Sequence, residues 1–304
     1  MSNNLMDYAY QELELNSRNT GPYGIAVSNG GEVWFTQHKA NTIGCIQMDG
    51  SIVVYSIPTP NAKALCLTVS SDGEVWFTEN GANKIGRLTK KGNIIEYELP
   101  NESSGPYGIA EGPNKKIWFT ELNGNRIGNI SRDGNIREYE LPNQDSYPSF
   151  ITMGPDNALW FTENQHNAIG RITEDGKITE FKIPTPESGP VGITKGNDGA
   201  LWFVEIIGNK VGRITTSGSI TEYSIPTLNS RPHAITAGVG NELWFTGWGA
   251  NKIGRIKDNK IIEEYPIKTP NAEPHGISSY KGEIWVALEC NKIAKLTLNN
   301  DMKE

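Results

Sequence analysis

Two histidines and two glutamates near the end of the chain have the types and spacing that acid–base and metal chemistry require. Glu273 stands two residues before His275. His233 lies upstream of this pair, and Glu289 lies downstream of it. A carboxylate beside an imidazole suits general acid–base catalysis. Two carboxylates with room left for water suit Mg²⁺ or Ca²⁺, and they fit zinc poorly because zinc prefers nitrogen and sulfur.

The elements that must position these residues come from a repeat. Tryptophan occurs at positions 34, 76, 118, 160, 202, 244 and 285, with steps of 42 residues and a last step of 41. The copies continue as close variants of Phe-Thr-Glu, then of Asn-x-Ile-Gly-Arg-Ile, and end in variants of Tyr-x-Ile-Pro, with Asp-Gly or Asn-Gly pairs at turns. Such short β-type runs joined by hairpin signals, in units of about 40–45 residues, are typical of propeller blades.

The pattern therefore predicts an all-β fold, a seven-bladed β-propeller with four-stranded blades, as a single domain over residues 1–304. No segment has apolar residues at helical spacing over three turns, so helix should be nearly absent. Residues 10–15 align with the fourth-strand segment 94–99, whereas the seventh unit ends near Leu298 without such a strand. We expect the N-terminal segment to complete the last blade, which closes the ring and removes free sheet edges.

The first strand of each blade lines the central channel, and the turn after its second strand reaches the same mouth. His233 and His275 occupy one repeat position at this mouth, in neighbouring blades. The residues at that position, in chain order, are Tyr23, Leu65, Tyr107, Ser149, Val191, His233 and His275. The two histidines are therefore expected to lie together at one end of the channel.

Three further departures from the repeat fall at this mouth. Glu273 replaces a glycine that other units carry, and the one-residue deletion in the seventh unit moves Glu289 into its second turn. Both carboxylates are predicted metal ligands. Trp248 is the one tryptophan outside the repeat register. Its ring could stack on a ligand, or it could cover a blade edge.

Other notable residues have structural interpretations. The glutamates that recur three residues after the tryptophan are read as structural groups that bond backbone amides between blades; they are Glu79, Glu121, Glu163 and Glu205. The seven in-register tryptophans are predicted core residues. His38 and His166 are most simply solvated loop histidines.

Composition limits the partners and the compartment. The chain is 37% hydrophobic with a formal charge of −7, so a basic nucleic-acid surface is not expected. No apolar run approaches a membrane span. The polar start lacks the basic and apolar regions of a signal peptide, and three cysteines without metal-type spacing (Cys45, Cys66 and Cys290) are read as reduced thiols. We expect a cytoplasmic monomer.

The repeats, together with Glu273-Pro274-His275-Gly276 and Trp285-Val286-Ala287-Leu288-Glu289, resemble the virginiamycin B lyase family over all seven units. The resemblance implies a streptogramin B lyase that opens a cyclic depsipeptide antibiotic at its ester by Mg²⁺-dependent elimination and confers resistance. It implies that Glu273 and Glu289 bind Mg²⁺ and that His275 is the general base. His233 would contact the substrate, and three aromatic residues could hold the apolar macrocycle: Tyr23, Tyr107 and Trp248.

Two other functions remain open from the residues. A metal-dependent propeller lactonase or esterase would open an ester by hydrolysis instead of elimination. A non-catalytic propeller would use the same face to bind a protein partner. The titratable irregularities are concentrated in two adjacent blades, and this favours an enzyme over a binding platform.

Overall fold

The computed structural model describes residues 8–257 and 261–298 and arranges them as seven sheets of four antiparallel strands. The predicted seven-bladed β-propeller is confirmed. Within the described residues the helical content is one 3₁₀ turn, Pro113–Lys115. No helical segment among them has the length and apolar character needed to cross a membrane.

Blades 1 to 6 each contain four consecutive strands, and blade 7 contains the last three strands and the first. The strands of blades 1 to 3 are β2 (Pro22–Val27), β3 (Val33–Gln37), β4 (Thr42–Ile46), β5 (Ile52–Ser56), β6 (Ala64–Val69), β7 (Val75–Glu79), β8 (Lys84–Leu88), β9 (Ile94–Glu98), β10 (Pro106–Glu111), β11 (Ile117–Glu121), β12 (Arg126–Ile130) and β13 (Ile136–Glu140). Those of blades 4 to 6 are β14 (Pro148–Met153), β15 (Leu159–Glu163), β16 (Ala168–Ile172), β17 (Ile178–Lys182), β18 (Pro190–Lys195), β19 (Leu201–Glu205), β20 (Lys210–Ile214), β21 (Ile220–Ser224), β22 (Pro232–Ala237), β23 (Leu243–Gly247), β24 (Lys252–Lys257) and β25 (Ile261–Pro266). Blade 7 consists of β26 (Pro274–Tyr280), β27 (Glu283–Leu288), β28 (Lys292–Leu298) and β1 (Tyr8–Glu14).

The N-terminal strand closes the ring as the sequence predicts. Strand β1 pairs antiparallel with β28, with Tyr8 opposite Leu298 and Glu14 opposite Lys292. The first strands of neighbouring blades pack on one another around the channel, and β26 contacts both β22 and β2. Blade 1 is therefore a direct neighbour of blade 7, although the two lie at opposite ends of the sequence.

The recurring apolar residues form the core between blades. Six of the seven in-register tryptophans are buried, and Trp34 is half-buried. In blade 2, Trp76 stacks on Tyr97 with ring centroids 5.8 Å apart. The third-strand glycine is required because a Cβ atom at Gly86 would lie 2.2 Å from the ring of Phe77. The repeat motif therefore encodes the packing of each blade.

A threonine joins most blades to the next and also fixes the site. The Thr78 hydroxyl donates to the Tyr107 carbonyl at 2.8 Å, and Thr246 donates to the His275 carbonyl at 2.8 Å. The same hydroxyls accept backbone N–H groups of their own blades, so they bond the innermost strands on both sides. These bonds hold the backbone of His275 in a defined position.

The prediction that the recurring glutamates bond backbone amides is wrong. The two carboxylate oxygens of Glu79 are buried and have no hydrogen-bond partner, and the same is true of its counterparts Glu121, Glu163 and Glu205. These side chains face a second glutamate across the blade. In blade 2, burial and the charge of Glu96 raise the pKa of Glu79 to about 8.

Candidate active site

One backbone hydrogen bond recurs at the mouth of the channel and places the predicted site residues. The N–H of His38 donates to the Gly21 carbonyl at 3.1 Å, and Glu289 donates to Glu273 in the same way at 3.2 Å. Glu273 adopts φ 51°, a left-handed conformation in which a side chain is uncommon. The local backbone of blade 7 thus holds the two carboxylates side by side.

The structure brings Glu273, His275 and Glu289 together. One ligand atom from each of the three lies within 4.8 Å of the others. The His275 Nε2 atom is 2.7 Å from Glu289 Oε2, while its Nδ1 atom is buried without a hydrogen-bond partner. Since Nε2 is the nitrogen that faces the carboxylate, any exchange of a proton with a ligand at the mouth must use it.

Blade 1 adds two residues to this cluster. His38 Nε2 lies 3.2 Å from Glu289 Oε1, and the Lys39 ammonium lies 2.7 Å from the same oxygen. The prediction of a solvated loop histidine is therefore wrong for His38, which is half-buried. Ring closure places the second turn of blade 1 against blade 7. Two signals could have identified His38: this adjacency, and the fact that His38 holds in blade 1 the repeat position that Glu289 holds in blade 7.

His233 belongs to a second group of contacting side chains at the mouth. Tyr23 belongs to this group and also contacts the cluster of Glu273, His275 and Glu289. The His233 Nε2 atom is 3.2 Å from the Tyr23 hydroxyl and 3.4 Å from the Tyr107 hydroxyl. The two hydroxyls are 2.7 Å apart. The Tyr23 ring also stacks on His275, with centroids 4.3 Å apart and planes at 27°. The two histidines themselves are 5.0 Å apart in an edge-on arrangement.

The electrostatic environment separates the roles that these groups can have. The hydrogen bond from His275, followed by the Lys39 ammonium, holds the pKa of Glu289 well below its usual range despite partial burial. Burial and the nearby His275 lower the pKa of His233 to about 3. Burial raises the pKa of Tyr23 and that of Tyr107. Near neutral pH Glu289 is therefore charged, and His233 is a neutral hydrogen-bonding group.

Trp248 occupies in blade 6 the mouth position that Glu289 occupies in blade 7. The backbone N–H of Trp248 donates to the Arg231 carbonyl at 3.2 Å, and the Arg231 guanidinium lies 5.3 Å from the Trp248 ring centroid. The ring is half-buried at the mouth and makes no aromatic contact with His233 or His275 among the described residues. Inside the mouth, a largely apolar cavity of about 120 Å³ lies along the channel, with Phe150 and His233 in its wall.

The fold and this cluster can be compared with known proteins. The profile of the virginiamycin B lyase family matches residues 8–296. The chain belongs to the virginiamycin B lyase family. A curated virginiamycin B lyase from Staphylococcus aureus is 71% identical over 55 residues, and this match spans 18% of the chain and 18% of that relative.

Two solved structures match nearly the whole chain. One is a crystal structure of a catalytically inactive histidine-to-alanine variant of virginiamycin B lyase from Staphylococcus aureus with quinupristin, at 72% identity and a TM-score of 0.95 over 96% of this chain and 99% of that one. The other is a streptogramin B lyase, at 61% identity and a TM-score of 0.96 over 98% and 100%. By family the chain is an enzyme, a lyase, and a non-catalytic interaction propeller is no longer an alternative.

Proposed function

We propose that this protein is a streptogramin B lyase that linearises cyclic depsipeptide antibiotics and so confers resistance to them. The observation that carries the proposal is the cluster of Glu273, His275 and Glu289 at the mouth of a propeller of this family. A related enzyme has been crystallised with quinupristin as a catalytically inactive histidine-to-alanine variant. An essential histidine and a depsipeptide ligand in a relative of this identity support the same substrate class here.

The proposed reaction is an elimination that needs no water. A base removes the α-proton of the threonine residue, the electrons form a Cα–Cβ double bond, and the ester carboxylate leaves from the β-carbon. The products of ring opening are a dehydrobutyrine residue and a free carboxylate on one linear chain. An α-proton beside an amide carbonyl is a weak acid, so the site must both accept the proton and stabilise negative charge.

The Nε2 atom of His275 is the base in this proposal. It lies at the mouth, whereas the buried Nδ1 cannot reach a macrocycle. Stacking on Tyr23 and the bond from Thr246 to the His275 carbonyl fix the ring, so little reorganisation is needed when the proton moves. Glu289 lies against Nε2 and stabilises the imidazolium that forms.

The residues also fit a divalent cation, proposed to be Mg²⁺. Glu273 and Glu289 offer hard oxygen ligands within 4.8 Å of each other, and the Lys39 ammonium already lies 2.7 Å from Glu289 Oε1, which shows that this carboxylate draws a positive charge. When bound there, Mg²⁺ would supply Lewis-acid stabilisation of the charge that develops on the carbonyl and on the leaving ester. Glu273 and Glu289 would hold the ion, and a cation there would weaken the hydrogen bond between Glu289 and His275 Nε2.

The remaining predicted residues are proposed to bind the substrate. His233 is neutral, because its pKa is lowered to about 3, so it can donate or accept a hydrogen bond but is a poor source of a proton for the leaving group. We therefore assign it to positioning of the ester. Tyr23, Tyr107 and the Trp248 ring present the aromatic surface for the apolar macrocycle.

Incubation of the protein with a type B streptogramin, with and without EDTA, tests substrate, reaction and metal together. Elimination gives a linear product with the mass of the parent antibiotic, whereas a lactonase or esterase gives a product heavier by one water. The proposal requires the unchanged mass, a dehydrobutyrine residue in the fragments, and loss of turnover in EDTA that Mg²⁺ restores. A hydrated product would establish the hydrolase alternative instead.

We also propose that the protein acts as a cytoplasmic monomer. Within the described residues every blade has four strands, so no blade needs a strand from a second chain to be complete. The three cysteines form no disulfide among the described residues. Size-exclusion chromatography with light scattering, together with cell fractionation, tests both statements.

A further inference from the structure

Pairs of carboxyl groups recur inside four blades, outside the site described above. In each pair one glutamate ends the second strand and another lies on the fourth strand, opposite the third-strand glycine. The pairs are Glu79 with Glu96, Glu121 with Glu138, Glu163 with Glu180, and Glu205 with Glu222. Two buried carboxylates repel each other when both are ionised. Each pair therefore requires a proton or a cation.

Three of these four blades supply a basic side chain from the first residue of the third strand. The distances are 3.5 Å from Lys84 Nζ to Glu96 Oε2, 3.4 Å from Lys210 Nζ to Glu222 Oε2, and 3.9 Å from Arg126 Nη1 to Glu121 Oε2. Blade 1 lacks a basic residue at this position, and it also lacks both carboxylates because Gln37 and Val54 replace them. The basic residue thus accompanies the fourth-strand glutamate: blade 6 keeps both, as Lys252 and Glu264 at 3.7 Å, although Gly247 replaces the second-strand glutamate.

Blade 4 does not follow this rule. It keeps Glu163 and Glu180 but carries Ala168, which is buried, where the lysine or arginine would be. Two residues earlier it carries His166, at a position where the other 42-residue units have alanine or glycine. The basic side chain of this blade comes from the fourth strand, where Lys182 lies opposite Ala168 and its ammonium group donates to the His166 carbonyl at 3.1 Å. Blade 4 therefore adds an imidazole beside the carboxyl pair, at a place where the other 42-residue units have no side-chain ligand atom.

The three side chains converge on one point. One ligand atom from each of Glu163, His166 and Glu180 lies within 4.8 Å of the others. Glu163 is 0% exposed, and both of its oxygens lack a hydrogen-bond partner. Glu180 accepts a bond from Asn143 Nδ2 at 2.6 Å through Oε2, while its Oε1 is buried without a partner. The His166 Nε2 atom lies 3.9 Å from Glu180 Oε2, close enough to share a ligand but not to form a hydrogen bond.

We propose that Glu163, His166 and Glu180 form a second metal site, distinct from the cluster at the mouth. Unpartnered buried carboxylate oxygens and an imidazole nitrogen are ligands for a first-row transition ion, and the nitrogen selects such an ion over Mg²⁺. Zn²⁺ is the ion to which we commit, with water in its fourth position. The ion takes the place of the lysine in blades 2 and 5 and ties the second turn of blade 4 to its outer strand.

Zinc titration of the full chain tests this site. Glu289→Gln, which removes a ligand of the mouth cluster, is used as the background; this protein and its further variants are stripped with a chelator, and ZnCl₂ is titrated by calorimetry. We expect one Zn²⁺ bound per chain in blade 4 and a higher Tm in its presence. His166→Ala should bind Zn²⁺ at least tenfold more weakly. Ala168→Lys, which copies blades 2 and 5, should fold normally and show neither the binding nor the rise in Tm.

Blade 2 offers a gain-of-function test. Ala82→His combined with Lys84→Ala copies the residues of blade 4 and should bind one additional Zn²⁺, whereas Lys84→Ala alone should bind none. A Glu289→Gln variant should retain the blade 4 ion, because that ion does not use the mouth. Equal zinc binding by the Glu289→Gln background and by its His166→Ala and Ala168→Lys variants would overturn the proposal. If the Ala82→His, Lys84→Ala variant folded but bound no additional Zn²⁺, the proposed ligand set would be wrong.

Discussion

His275 presents its Nε2 atom to Glu289 Oε2 at 2.7 Å, so the proposed base and a proposed metal ligand are joined by one hydrogen bond. If Glu289 Oε2 coordinates a cation, it can no longer accept a full hydrogen bond from His275 Nε2. Cation binding and the availability of Nε2 as a base are therefore expected to be coupled. The predictions on the mouth follow from this coupling.

His275→Ala should abolish turnover while the antibiotic still binds. Loss of a positioned general base costs roughly 10²- to 10⁴-fold in rate, or about 3 to 5.5 kcal/mol of barrier. Pre-steady-state product formation and equilibrium binding of the antibiotic measure the two effects separately. A Tm equal to that of wild type would show that the loss of turnover does not come from unfolding after the stacking on Tyr23 is removed. Turnover at the wild-type rate would assign proton removal to another residue.

Glu273→Gln should weaken Mg²⁺ binding and raise the Mg²⁺ concentration needed for half-maximal rate, without unfolding the protein. The side chain is exposed, so its replacement leaves no buried group unpaired. Glu289→Gln should lower the rate further, because it also removes the partner of His275 Nε2. Calorimetric titration with MgCl₂ gives the affinities. Full activity of Glu273→Gln in metal-free buffer would exclude the assigned site.

Lys39→Met should tighten Mg²⁺ binding several-fold. The Lys39 ammonium lies 2.7 Å from Glu289 Oε1 and competes with any cation for that oxygen. Partly exposed ion pairs contribute about 0.2–1 kcal/mol, which limits the effect to roughly 1.5- to 5-fold. Lys63→Met is the control for loss of charge, since Lys63 lies in blade 2 at the repeat position that Glu273 holds in blade 7, and its replacement removes the same charge from the mouth. An equal gain in both variants would mean that long-range charge, not competition at Glu289, sets the affinity.

The sequence repeat is sufficient to predict the blades, the closing strand and the tryptophan core, because each of these depends on local pattern. It also predicts that Glu273, His275 and Glu289 lie close together, because the repeat position of each residue determines that it lies at the mouth of the channel. Lys39 could not be assigned in this way. Ring closure makes blades 1 and 7 neighbours, but the contact of Lys39 with Glu289 also depends on the side-chain rotamer, which the repeat does not encode.

The paired glutamates show a second limit of sequence reasoning. Glu79 and Glu96 lie on strands that are not neighbours, so no strand-pairing rule brings them together. They face each other because Gly86 on the intervening strand has no side chain to separate them. The recurrence of the glutamate was evident in the sequence, but the identity of its partner required the three-dimensional arrangement.

His233→Ala should reduce turnover, whereas Tyr107→Phe should change KM and leave kcat nearly unchanged. His233 Nε2 faces the Tyr23 hydroxyl at 3.2 Å and is the neutral group that we assign to the ester. Tyr107→Phe removes one hydroxyl from this network, but Tyr23 keeps its bond to His233. Steady-state kinetics with one streptogramin measure both variants. Equal losses of kcat would place the chemistry closer to Tyr107 than proposed.

Glu79→Gln should stabilise the protein at pH 8 and have little effect at pH 4.5. Burial and the charge of Glu96 raise the pKa of Glu79 from its ordinary value of 4.5 to about 8. Between these values the unfolded state releases a proton that the folded state retains, so the free energy of unfolding falls as pH rises. Glutamine cannot ionise, and blade 1 already carries Gln37 at the equivalent position. We expect Tm at pH 8 to rise by roughly 2–4 °C, the shift that about 1 kcal/mol gives in large domains. Thermal melts from pH 4.5 to pH 8 check the sign, and a variant that loses stability as steeply as wild type would show that Glu79 is already ionised in the folded protein.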